Sequence, residues 1–180
     1  MQSFREAEKV DFNKAVFLKM EKSWITGQSQ DFITPVVVAE IRYLSTKDVL
    51  LKVKGLLNAL HALEVQDWDS EEKVVFAIPD WFADFCVSPQ SDAEMKSWLA
   101  QWRALTSEKQ LAFEEKKGWS LPDWLYWMHP KNRTWYVVNA VDGLELQSKL
   151  VLAVSSWPTP LGAAKWMLRA AGGAAIEIVE

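Results

Sequence analysis

The run from Trp135 to Val179 constrains the fold more than any other stretch of the chain. Two β-prone segments, Trp135–Val141 and Leu144–Val154, flank Asp142-Gly143. Asp-Gly between such segments predicts a two-residue type I′ turn, because that turn needs positive φ at both central positions. It would set Val141 opposite Leu144, Asn139 opposite Leu146 and Trp135 opposite Leu150. Side chains alternate along a strand, so Leu144, Leu146, Leu150, Leu152 and Val154 share an apolar face. Glu145, Gln147 and Lys149 share the wet one. Thr159-Pro160 then suits a helix start, with Thr as cap and Pro at the first helical position. Leu161, Ala164, Leu168 and Ala171 recur at helical spacing, and Arg169 falls in the last turn, where it suits the dipole. Gly172-Gly173 offers a left-handed exit. Gly162, Ala163 and Ala164 are small enough for close approach to a sheet. Ile176–Val179 reads as a strand, and a strand, helix, strand order returns parallel by a right-handed crossover. The stretch 135–179 is thus predicted as a ββαβ unit.

The earlier chain is read by the same rules. Ser3-Phe4-Arg5-Glu6 has the form of a capping box. Phe4, Ala7, Val10, Phe17 and Trp24 continue as a long helix, with a break expected near Asp11 and an end at Gly27. Thr34–Leu44 is dense in β-branched residues and predicts a strand, with Val37, Ala39, Ile41 and Tyr43 on one face. Its helical alternative would start at Thr34-Pro35. Ser45-Thr46 is expected to cap a helix whose inner stripe is Val49, Val53, Leu56, Leu57, Leu60 and Leu63. Gly55 costs that helix about 1 kcal/mol, which close packing could offset. Lys73–Ile78, ended by Pro79, is predicted as a second strand, giving a βαβ unit near 33–79. Ser91-Asp92-Ala93-Glu94 opens an amphipathic helix carrying Met95, Trp98, Leu99, Trp102 and Leu105. Ser107-Glu108-Lys109-Gln110 restarts or continues it, up to Lys116-Lys117-Gly118. The expected fold is α+β: one domain over 1–180, a mixed sheet of about five strands, and several helices packed on it.

Composition narrows the function classes. With 180 residues the chain can bury a full core, and its 49% hydrophobic and 24% charged content is ordinary. Eleven tryptophans are not ordinary, and all but Trp24 lie at or beyond Trp68. The net charge is −4, and the acidic excess belongs to the first half of the chain. The absence of a basic stripe speaks against a nucleic-acid partner. Cys86 is the single cysteine, so an internal disulfide is impossible. That, the mixed-charge N-terminus and the absence of any apolar run of membrane-spanning length predict a soluble cytoplasmic protein.

No motif identifies a reaction, and no cofactor or metal is expected. Glycine-rich phosphate loops are absent. The two histidines and one cysteine lack metal-ligand spacing. Asp67, Asp69, Glu71 and Glu72 miss the calcium-loop pattern, since no Gly sits at its sixth position and Ile78 replaces the final Glu. A solvated acidic turn is the plainer reading. His61 lies in the stripe of its helix and reads as structural. Cys86 with His61 or His129 has no local signature of a nucleophile.

Two features remain as candidate binding residues. Ile78-Pro79-Asp80-Trp81-Phe82 resembles Leu121-Pro122-Asp123-Trp124-Leu125. Two short helices with similar starts explain this, but a functional reading puts Asp80 and Asp123 on one rim, with Trp81 as a further candidate contact residue. Trp124–Trp135 combines flat aromatics, a histidine and cations. Its plain reading is core followed by a turn; its functional reading is a contact surface of Trp127, His129, Lys131 and Arg133, residue types common at binding hot spots. The favoured function is therefore a non-catalytic protein-binding module of inhibitor or immunity type, with another protein as partner. A Trp-lined pocket for a small molecule, with or without catalysis, is one alternative. The other is a winged-helix DNA-binding N-terminal half. Val38–Thr46 loosely resembles a helix-turn-helix, and that resemblance implies Thr46–Leu63 as recognition helix and Leu63–Ile78 as wing. Arg42 and Tyr43 replace its usual apolar residue and Gly, and the wing is acidic. An extended Thr34–Leu44 would exclude it.

Overall fold

The computed structural model describes residues 2–28, 37–45, 48–141, 147–155 and 159–179. In chain order these form α1 (Gln2–Thr26), β1 (Val37–Leu44), α2 (Val49–His61), a 3-10 turn (Val65–Asp69), α3 (Glu71–Ala77), α4 (Asp80–Ala83), α5 (Asp92–Arg103), α6 (Ser107–Lys116), α7 (Leu121–Met128), β2 (Trp135–Val141), β3 (Gln147–Val154), α8 (Gly162–Ala171) and β4 (Ala174–Val179). The fold is α+β, as expected. Among the described residues the sheet has four strands rather than about five, in the order β2-β3-β1-β4, and every adjacent pair is antiparallel rather than mixed.

The missing strand is Lys73–Ile78, which is helical, so the βαβ unit near 33–79 does not form. Ser70 caps α3, its side chain accepting from the Lys73 N–H, and Glu71 and Glu72 occupy the positive first turn. A strand would put Val74, Phe76 and Ile78 on one face. Instead Val74 and Ile78, one helical turn apart, are buried while Phe76 is 91% exposed. Local capping and helical spacing outweigh the β-propensity of two valines.

β1 is a strand, and Ala39, Ile41 and Tyr43 point into the core while Arg42 lies outside. This ends the helix-turn-helix reading, whose first helix would need those residues. The supposed wing is a 3-10 turn followed by α3. Residues 29–36, with the Thr34-Pro35 start, lie outside the described residues. α1 runs unbroken past Asp11 and ends at Gly27, which has φ +71°. α2 begins at Val49, after Asp48, and Thr46 of the expected cap lies outside the described residues. Of the expected stripe Val49, Val53, Leu56, Leu57 and Leu60 are buried, whereas Leu63 falls beyond the helix end and is half-buried.

In the C-terminal unit the strands hold but the register differs. Val141 pairs with Lys149 and Trp135 with Val154, so the predicted two-residue turn register is not adopted. Residues 142–146, which include Asp142-Gly143, lie outside the described residues. A bulge between Val137 and Asn139 shifts the ladder by one. Face assignment survives the change: Leu150, Leu152 and Val154 are buried and Gln147 is exposed. β3 and β4 are both antiparallel to β1 and hence parallel to each other, as the strand, helix, strand order predicts. β1 has entered between them.

α8 starts at Gly162, two residues later than Thr159-Pro160 implied, and Leu161 stands at its cap position. Thr159 instead shares a 2.6 Å hydroxyl contact with Thr134. α8 buries Trp166, Met167 and Leu168 with Ala163, Ala164 and Ala171. Each large side chain there contributes about 1.5–3 kcal/mol. Gly172, at φ +107°, makes the left-handed exit. The close approach at Gly162 is to an indole, since a Cβ there would lie 2.8 Å from Trp119. The main core thus fills one face of the sheet, under α2, α7 and α8. α1 covers part of the other face, where Phe17 meets Tyr136 and Ala153.

Candidate functional site

α7 divides the aromatic and cationic segment between two sides of the molecule. Ser120 caps it, accepting from the Asp123 N–H at 3.3 Å and donating its hydroxyl to the Asp123 carboxylate at 2.7 Å. Pro122 fits the first turn, which has no N–H to lose. The helix turns Trp124, Leu125 and Met128 inward. The Trp124 indole donates to the Ala163 carbonyl at 3.0 Å and packs 4.4 Å from Phe82. Asp123, Tyr126 and Trp127 face outward, the last two edge to face at 5.6 Å.

A tight turn follows. The N–H groups of Asn132 and Arg133 both donate to the His129 carbonyl, and the Asn132 amide donates to the Tyr126 carbonyl. Lys131 stays exposed, its N–H bonded to His129 Nδ1 at 3.1 Å. His129 is half-buried and sets its ring edge-on to Trp68 at 5.2 Å. Burial, aided by the Lys131 charge and opposed by Asp69, lowers its pKa. Arg133 swings inward and is only 4% exposed.

Arg133 meets a carboxylate from the other end of the chain. Glu21, on α1, is fully buried. Its Oε1 accepts from an Arg133 Nη and, at 2.7 Å, from the Val137 N–H on the outer edge of β2. Its Oε2 lies 2.8 Å from His61 Nε2 at the end of α2. Burial alone would raise the Glu21 pKa. The Arg133 charge, the His61 bond and charge, and the Val137 N–H outweigh it and hold the group below its ordinary range. The guanidinium lies over the rings of Trp135 and Tyr136, at 4.8 and 4.6 Å. Burial pushes the Tyr136 phenol up, with Arg133 opposing.

This cluster stands in the wall of a cavity of about 310 Å³ between α1, the end of α2 and the start of β2. Leu60, Leu63, Trp68 and Met128 give it an apolar lining, and Lys19 and Lys22 stand at its mouth. On the other side of α7 lies a groove of about 260 Å³. Trp127 and Asp123 border it, with Met95, Trp98, Lys117 and Trp119. The capping box predicted at Ser91 and Glu94 starts α5 as expected, with bonds of 3.4 and 2.8 Å. Trp98 stacks on Phe113 at 5.5 Å and near Trp102 at 6.5 Å, and Lys117 Nζ sits 4.5 Å from the Trp98 ring. The apolar stripe of α5 exists, yet none of its residues is buried.

The residues singled out from sequence therefore separate. Trp127 and Asp123 border the groove. Arg133 lines the cavity, and His129 touches it through Trp68. Asp80 is exposed at the start of α4, and Trp81 is half-buried against Phe82 with Lys52 Nζ 5.4 Å away. Neither borders the groove or the cavity. Sequence reasoning missed Glu21, Lys19 and Lys22 altogether. Lys19 and Lys22, three residues apart, share one face of α1, but nothing local marks them as a pair. Among the described residues no three His, Cys, Asp or Glu side chains form a metal-holding group, and no helix is long and apolar enough to cross a membrane. No protein-family model, curated protein or solved structure matches this chain.

Proposed function

We propose that this chain is a non-catalytic protein-binding module of the inhibitor or immunity type, docking its partner on the aromatic groove between α5, α6 and α7. One observation carries the reading: α5 presents Met95, Trp98, Leu99 and Trp102 on one face and buries none of them. Full burial of a large apolar side chain contributes about 1.5–3 kcal/mol, and these half-buried ones leave only the uncovered part of it for a partner. Tyr126, 60% exposed, and Trp127 extend the same surface. Rigid aromatics lose little entropy on docking, and the surrounding Glu114, Lys117 and Asp123 supply a polar rim. The state of Cys86 fits a non-catalytic role. Burial raises its thiol pKa, with only the neighbouring Trp166 indole opposing, which disfavours the thiolate a nucleophile needs.

The test is quantitative capture from extract on the wild-type chain and on a Trp98→Ser/Trp127→Ser variant, followed by calorimetry with the recovered protein. The reading expects one stoichiometric partner held by the wild type and lost by the variant, which keeps the circular-dichroism spectrum and cooperative unfolding of a folded chain. Equal retention by both, or none by either, refutes it.

A further inference from the structure

We infer that the cavity between α1, α2 and β2 binds a small organic anion with an apolar body, a monocarboxylate in the first instance. The chain as a whole carries net charge −4, yet no carboxylate is among the described residues lining this cavity, while Lys19, Lys22 and Arg133 are. Glu21 lies behind the wall, and its oxygens are already taken by Arg133, His61 and Val137. It neutralises Arg133 and leaves the two lysines uncompensated. Neither lysine makes an ion pair among the described residues. Arg133 itself is held on one side only: its Nε–H is buried and has no acceptor among the described residues. The positive charge that the cavity offers an occupant is therefore chiefly that of Lys19 and Lys22.

The shape completes the argument. About 310 Å³ is at the lower end of the range for small-molecule sites and holds the volume of roughly ten water molecules. Leu60, Leu63, Trp68 and Met128 exclude a bare inorganic anion as the best occupant, because they offer it no donors. They suit an aliphatic or aromatic body. The charged end of the ligand then sits toward Lys19 and Lys22, near His61 and the edge of the Arg133 guanidinium, and the apolar end sits against Trp68.

The experiment is titration calorimetry of the full chain with octanoate, 3-phenylpropionate, neutral 3-phenylpropanamide and inorganic phosphate. The expected result is one-to-one binding of at least one of the two acids at millimolar affinity or tighter. The amide and phosphate should bind at least tenfold more weakly, as fits loss of hydrogen bonds to charged groups. Lys19→Gln/Lys22→Gln, two exposed changes that leave the fold intact, should lower affinity for that acid at least tenfold. Leu63→Trp should abolish binding by filling the apolar end. The groove variant Trp98→Ser/Trp127→Ser should bind the acid as the wild type does, which separates this site from the protein-docking reading. Absence of binding by both acids, equal affinity for the amide, or unchanged affinity in the double lysine variant overturns the inference.

Discussion

Glu21→Leu is the most informative single change in this molecule. The side chain is fully buried and receives Arg133, His61 and the Val137 N–H. Removing it leaves the Arg133 cation inside without a counter-ion, a loss of about 3–5 kcal/mol by analogy with broken buried pairs. It also leaves the Val137 N–H, on a strand edge under α1, without an acceptor, for about 1–3 kcal/mol more. The leucine regains part of this through apolar packing, so the net expectation is a loss of about 4 kcal/mol. In a chain of this size each kcal/mol moves the midpoint by about 2–4 °C, so the drop is roughly 8–16 °C. Stabilities run at about 5–15 kcal/mol, and the loss is therefore a large fraction of the whole. The assay is urea unfolding followed by circular dichroism on Glu21→Leu, Arg133→Met and the double variant. Each single change strands one buried charge, whereas the double change strands none, so the double should lose at least about 2 kcal/mol less than the sum of the singles. Losses that add to within about 0.5 kcal/mol would refute the claim that the two side chains form one unit.

Three further outcomes follow from the same contacts. Glu21 has a folded pKa below its ordinary value of 4.5, so the stability it contributes is present above that value and lost as pH falls through the folded one. Wild-type unfolding free energy should therefore decline on acidification below that point, and Glu21→Gln should flatten this part of the curve in urea titrations at stepped pH. Gly55→Ala should raise the midpoint by about 2–4 °C, because a Cβ there meets nothing within 4 Å and the helix gains about 1 kcal/mol. Gly172→Ala should have the opposite sign and cost about 1–2 kcal/mol by thermal unfolding, since φ is +107° at the exit of α8.

Local chemistry was legible wherever one segment decides it. The Ser91–Glu94 capping box, the left-handed exit at Gly172 and the face assignment of β1 all follow from neighbours within a few positions. The failures have equally specific causes. Lys73–Ile78 carries two valines whose β-propensity suggests a strand, but the Ser70 cap and the acidic first turn start a helix there. Asp142-Gly143 alone implies a two-residue hairpin register, while the actual ladder has a bulge near Asn139 and pairs Val141 with Lys149. No short motif encodes a meeting of Glu21 with His61 and Arg133, which lie 40 and 112 positions further along the chain. Arg133 read as a surface cation because its neighbours Lys131 and Asn132 are polar, and only the turn built on the His129 carbonyl carries it inward.

α2, α5 and α8 differ in how far the rest of the chain covers them. All three carry an apolar stripe at helical spacing, and periodicity states only that such a face gains by being covered. In α2 and α8 the chain itself supplies the cover, and residues such as Leu56, Leu57, Met167 and Leu168 have no exposed surface. In α5 the stripe is less amphipathic and set in a more polar helix, and α6 and α7 shield it only in part, so Trp98, Leu99 and Trp102 are half-buried. On the docking reading proposed above, this half-covered face would receive the partner, so the α5–α7 groove, rather than the total of eleven tryptophans, is the place to look for one.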